Sequence, residues 1–119
     1  ELYGSFEVPL YGKHMVLNTC AAIVICKNLG VEKEVIYNSL KSFKNAKRRF
    51  AIDNYKGVTI IDDYAHHPTE IKVTLNAAKQ KYPDKLIVSI FQPHTFTRTK
   101  EFYKDLINVF NKVSSFVIL

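Results

Sequence analysis

Two short apolar runs, Val58 to Ile61 and Leu86 to Phe91, each lead without a break into a polar cluster and then into apolar residues at helical spacing. The first cluster reads D-D-Y-A-H-H-P-T-E from Asp62 to Glu70, and Ile71, Leu75, Ala78 and Tyr82 follow it. The second reads Gln92-Pro93-His94-Thr95-Phe96-Thr97-Arg98-Thr99, followed by Phe102, Leu106, Val109, Phe110 and Val113. A third apolar run begins at Phe116. Strand, helix, strand, helix, strand in that order predicts a parallel sheet with right-handed crossovers, because parallel neighbours cannot be joined by a tight turn. The unbroken apolar character of Leu86 to Phe91 further predicts helical cover on both faces of that sheet.

Upstream, Phe50 and Ile52 alternate with polar residues, and Asn54-Tyr55-Lys56-Gly57 supplies turn chemistry, so a hairpin is expected before the first crossover. The residues before Lys47 read differently. Leu2 to Leu10 alternates loosely and ends near Pro9, as the last strand of a sheet begun further upstream would. His14 to Leu29 is apolar on nearly every side, which predicts a helix buried among neighbours and stopped at Gly30. A second helix is expected from Glu32 to Phe43, with Val35, Ile36, Leu40 and Phe43 on one face. The polar, basic stretch Lys44 to Lys47 is the expected boundary, giving one partial domain over 1–46 and a second over 47–119. The fold class expected is α/β, with a Rossmann-like, mostly parallel sheet in the second domain and the final strand and helices of another domain before it.

Composition narrows the partners. The 119 residues are 47% hydrophobic and 24% charged, which suits a globular chain with a real core. The longest mostly apolar stretch, Met15 to Cys26, is about half of the ~20 residues that span a bilayer, so no membrane segment is expected. Nothing resembles a secretion signal, and the expected compartment is the cytoplasm. Cys20 and Cys26 lie on one helix pointing apart, which predicts buried, reduced thiols. A formal charge of +6 favours anionic partners, but no nucleic-acid module surrounds the basic cluster from Lys41 to Arg49, and no nucleic-acid binding is expected. Oligomeric state is not legible.

Ligands of open parallel sheets collect at the carboxyl ends of the strands, where loops and helix N-termini converge. Both polar clusters fall there, and neighbouring strands about 5 Å apart would bring them to one cleft. Asp62 and Asp63 face opposite ways, so one can reach the cleft and hold a ribose or cation, while either can equally cap a helix or bind a loop amide. His66 and His67 precede a helix whose positive end favours anions, and a neutral imidazole there can act as a base. Adjacent histidines cannot share one ion, and no Cys or carboxylate stands at zinc-like spacing, so no metal site is expected. Arg98 offers a planar fork for a carboxylate or phosphate, or is a solvated arginine. Arg48 and Arg49 can reach a ligand held between domains or form a plain basic linker.

These residues resemble a known family. D-D-Y-A-H-H-P-T-E and F-Q-P-H-T-F-T-R-T, Phe91 to Thr99, are similar to the C-terminal signature of the muramate–alanine branch of the Mur ligases. Lys47-Arg48-Arg49-Phe50 resembles that family's K-R-R-F start to the domain, and Gly12 to Asn18 resembles its G-x-H-N-V-x-N helix start. The resemblance implies an ATP- and magnesium-dependent ligase that joins L-alanine to UDP-N-acetylmuramate through an acyl phosphate during peptidoglycan precursor synthesis. It implies that 1–46 closes a central ATPase domain. It also implies that His14, Asn18, Arg49 and Asp63 contact ATP, that His66 and His67 face the reacting groups, and that Tyr64, His94 and Arg98 hold L-alanine. Met15 and Thr95 depart from the pattern, where many members carry asparagine and some carry a second arginine. No G-x-x-x-x-G-K-[ST] loop is present, so the resemblance places that loop, the magnesium ligands and the UDP-sugar domain upstream, and a fragment such as this is expected to be inactive alone. The alternatives are a related ligase that reattaches recycled tripeptide and a non-catalytic nucleotide-binding module.

Overall fold

The structure, a computed structural model, describes residues 2–118 and divides into two compact units, one ending at Ala46 and the other beginning at Lys47. The first unit holds α1 (Lys13–Asn28) and α2 (Lys33–Lys41). Gly12 opens α1 at a φ of 95°. At the other end Gly30 takes a φ of 78°, Val31 N donates to Cys26 O and Gly30 N to Lys27 O, a Schellman stop that only a residue free to adopt left-handed backbone makes without strain.

Three expectations for this unit are corrected. Residues 2–10 form no strand: from Gly4 onward they do alternate in exposure, but an extended segment becomes a strand only against a hydrogen-bonding neighbour, and the described residues of this unit contain none. The segment is held by rings instead. Tyr3 stacks on Phe6 at 5.9 Å, Phe6 meets Tyr37 of α2 at 6.4 Å, and the Lys27 ammonium sits 4.5 Å from the Tyr3 ring centre. Secondly, α1 has no buried residue, and Val16, Leu17, Val24 and Ile25 are exposed, because two helices and one short segment cannot cover a helix that is apolar all round. Cys20 is therefore exposed and Cys26 half-buried, both as free thiols. Thirdly, of the apolar face expected on α2 only Ile36 is buried, while Val35 and Phe43 remain exposed.

The second unit runs β1 (Ala51–Tyr55), β2 (Val58–Asp62), α3 (Pro68–Lys81), β3 (Val88–Ile90), α4 (Phe96–Val113) and β4 (Phe116–Ile118). β1 and β2 pair antiparallel with Tyr55 opposite Val58, leaving the two-residue turn Lys56-Gly57, whose φ values of 49° and 81° match the twist of a tight hairpin. β3 and β4 pair in parallel across the α4 crossover. The core is Ile71 and Leu75 of α3 against Leu106 and Phe110 of α4, with Ile87 and Phe91 packed on it from the β3 side. Buried Ser89 satisfies its hydroxyl on the Ser114 hydroxyl.

The sheet departs from expectation in two ways. β2 and β3 are not hydrogen-bonded to each other; they belong to separate two-stranded sheets. Helical cover lies on one face only: Ile87, Ser89 and Phe91 turn toward α3 and α4, whereas Leu86, Val88 and Ile90 are 66%, 48% and 82% exposed. The apolar run was legible, but this chain brings helices to a single side of it.

Candidate functional site

Residues 48–50 are tied to the loop after β2. Tyr64 N donates to Arg48 O at 2.9 Å, and Phe50 N donates to an Asp63 carboxylate oxygen at 2.8 Å. The other Asp63 oxygen accepts from Ala65 N, also at 2.8 Å. Asp63 is thus the inward member of the acidic pair, and each of its oxygens already holds a backbone amide. Asp62 turns outward to Arg48 at 3.9 Å, and the Arg48 guanidinium lies 4.9 Å from the Tyr64 ring centre. Arg48 and Phe50 adopt φ values of 58° and 52°, an uncommon conformation for residues with side chains, which these bonds hold in place.

The histidines begin α3 in two different roles. His67 is the N-cap: its Nδ1 accepts from Thr69 N at 3.2 Å, so the proton of the neutral ring is on Nε2. His66 does the reverse, since its Nδ1 lies 3.1 Å from Tyr64 O, a group that only accepts; its Nε2 is then left with a lone pair. Adjacent rings therefore present one donor and one acceptor. Glu70, which sequence reasoning quoted but gave no role, organises both: one of its oxygens accepts from His66 N at 3.1 Å and from His67 N at 3.2 Å, and lies 3.6 Å from His66 Nδ1. The bond from His66 N holds the Glu70 carboxyl below its ordinary pKa; partial burial opposes this, while the His67 amide, the His66 ring when it is protonated and the charge of Arg49 add to it. The signal was the capping-box spacing from His67 to Glu70, hidden because histidine stands where serine or threonine is usual.

Across from this loop, α4 starts at Phe96 with Thr95 as an N-cap whose side chain makes no cap, and no acidic residue lies in the first turn. Arg98 lies in that turn, half-buried, and His94 is exposed just before it. The two loops are linked by helix packing rather than by neighbouring strands, since His67 meets Phe102, one turn beyond Arg98, edge-on at 4.8 Å. Tyr64 lies 5.5 Å from His66, also edge-on. His14 and Asn18 stand one turn apart on α1 in the first unit, half-buried and exposed respectively. Among the described residues no group of three or more His, Cys, Asp or Glu is placed to hold a metal, and no helix is long and apolar enough to cross a membrane.

A parallel β-α-β unit with a polar loop ahead of its helix defines the class: an α/β domain, of the kind in which ligands collect at the carboxyl ends of the strands. Residues 48–119 match the Mur ligase, glutamate ligase domain, and the chain belongs to that family. It is 50% identical over 110 residues, 92% of its length, to a UDP-N-acetylmuramate–L-alanine ligase of Lactobacillus gasseri. A solved UDP-N-acetylmuramate-alanine ligase from Thermotoga maritima superposes with a TM-score of 0.75 over 98% of this chain and 31% of that one, at 27% identity. A folylpolyglutamate synthase of Thermotoga maritima has the same fold, with a TM-score of 0.72 at 19% identity, covering 98% of this chain and 27% of that one. The chain spans about a quarter of the length of the curated relatives it matches.

Proposed function

We propose that this chain is the part of an ATP-dependent ligase, joining L-alanine to UDP-N-acetylmuramate in peptidoglycan precursor synthesis, that comprises the end of a central ATPase domain over 1–46 and much of the C-terminal domain from Lys47. The observation that carries the reading is the donor-acceptor histidine pair, fixed by Glu70 at the start of α3 and linked through Phe102 to the helix that bears Arg98. ATP, as substrate, supplies the phosphoryl group that activates the carboxylate of the sugar nucleotide. The His67 Nε2 proton serves to neutralise developing negative charge, and the His66 Nε2 lone pair to accept a proton from the incoming amine. Arg98 and the uncapped α4 N-terminus suit the carboxylate of L-alanine, with His94 and Tyr64 completing that subsite. Asp63 retains acceptor capacity on both oxygens beyond its two amides, enough for a ribose hydroxyl. Arg49, His14 and Asn18 are assigned to the nucleotide, and the magnesium ligands to the rest of the longer protein. A need for ATP goes with a cytoplasmic location.

The test is Arg98→Ala in the full-length protein. Losing a charge-assisted pair of about 1.5–3 kcal/mol raises the KM for L-alanine by roughly tenfold to a hundredfold, with the KM for ATP little changed. Equal increases for both substrates would remove Arg98 from the alanine subsite.

A further inference from the structure

Glu70 does more at the start of α3 than a cap requires. In a capping box the carboxylate need accept only from the N-cap amide, here His67 N at 3.2 Å. The same oxygen also accepts from His66 N at 3.1 Å and comes within 3.6 Å of the His66 ring at Nδ1. That ring contact is too long for a hydrogen bond but short enough for charge to act. The hydrogen bond at Nδ1 goes to Tyr64 O, 3.1 Å away. Neither a carbonyl nor a carboxylate donates, so both hold the ring proton on Nδ1 and keep Nε2 free to accept another.

A hydrolytic triad divides an imidazole in the same way: a carboxylate at one nitrogen fixes the tautomer and supports the cation that forms when the other nitrogen takes a proton. Glu70 is charged for that task, since the bond from His66 N keeps its carboxyl below the ordinary range. The Tyr64 carbonyl is fixed in turn. Tyr64 N donates to Arg48 O at 2.9 Å, and the Tyr64 ring centre lies 5.5 Å from the His66 ring and 4.9 Å from the Arg48 guanidinium. The neighbouring charges have other partners: Arg48 meets Asp62 at 3.9 Å, and each Asp63 oxygen holds a backbone amide. Glu70 is therefore the carboxylate that His66 meets.

We propose that Glu70 is a positioning residue for the amine half of the reaction, fixing His66 with its acceptor at Nε2 and supporting the imidazolium that forms there. The inference rests on the ligase reading above. In that step the nitrogen of L-alanine attacks the carbonyl carbon of the acyl phosphate, a C–N bond forms, and the C–O bond to phosphate breaks. Inorganic phosphate leaves with the C–O electron pair. The proton shed by the nitrogen passes to His66 Nε2, while Nδ1 keeps its own toward Tyr64 O and Glu70. Formation of the acyl phosphate from ATP and a carboxylate needs no proton acceptor, so that earlier step does not depend on the Glu70 charge.

Glu70→Gln in the full-length protein separates the charge from the cap, because an amide oxygen still accepts both N–H groups. In rapid-quench single turnovers with ATP and UDP-N-acetylmuramate alone, the rate of ADP formation is expected to stay within about twofold of native. Once L-alanine is added, formation of UDP-N-acetylmuramoyl-L-alanine is expected to slow about three- to tenfold. The factor is modest because the His66 and Glu70 side chains are 33% and 44% exposed and water screens the pair. Equal slowing of both steps would assign Glu70 to the fold, and slowing of neither would leave it a cap; either result overturns the proposal. Native protein that forms no such product from L-alanine would instead sink the ligase reading, a result read without any variant.

Discussion

His67 spends one ring nitrogen on structure and leaves the other for chemistry, and Glu70 makes that division possible. Its carboxylate gathers two amides at the start of α3 that would otherwise lack partners, and it stands where the positive end of the helix stabilises negative charge. Glu70→Ala is expected to cost about 1 kcal/mol of stability, the usual worth of a cap, and Glu70→Gln less, because the amide oxygen still accepts. The pH dependence has a definite sign. A carboxyl whose pKa is lower folded than unfolded contributes stability that is fully present above its unfolded pKa and is lost as pH falls through its folded one. Urea unfolding of the full-length protein should therefore show the difference between native and Glu70→Ala at neutral pH and see it shrink in acid. A constant gap across that range would assign the effect to packing. At this scale the sequence was only partly legible. The grouping of His66, His67 and Asp63 near a helix start could be read from spacing, but ring tautomers and the two amides that occupy Asp63 depend on residues 48–50 folding back, and no local pattern announces that.

Among the elements, α3, α4 and the hairpin were readable because each is decided locally: Pro68 at the first helical position, apolar residues every three or four, and a turn at Lys56-Gly57. The strand expected over Leu2 to Leu10 was misread for the complementary reason, since alternation reports which side chains share a face and says nothing about whether a neighbour exists. The turn offers a direct test of local control. Both turn residues require positive φ, which Gly57 adopts freely and Lys56 does not. Gly57→Ala should cost about 1–2 kcal/mol, whereas Lys56→Asn should gain a few tenths, because asparagine tolerates the left-handed region. Thermal unfolding of both variants checks the pair, and an unchanged Tm for Gly57→Ala would mean that the hairpin adopts another turn.

For the whole molecule, the order of elements specified an α/β fold, yet cover on both faces of the sheet depends on polypeptide that 119 residues need not contain. Ile52, Val58, Ile60, Val88, Ile90 and Val117 leave six large aliphatic side chains exposed on strands, more than a domain of this size ordinarily leaves in water. Parallel sheets are stable when both faces are covered, and the relatives carry the length to cover them. Ile90 distinguishes a covered face from a bare one, because it is 82% exposed here. If nothing else packs on it in the full-length protein, Ile90→Lys is a surface change worth no more than about 0.5 kcal/mol. With the face covered, the same substitution buries an ammonium without a partner and loses apolar contact, at a cost of roughly 3 kcal/mol or more. We expect the larger loss, read as a drop in the urea midpoint of the full-length protein. A midpoint unmoved by Ile90→Lys would mean that the family's sheet keeps one apolar face in solvent.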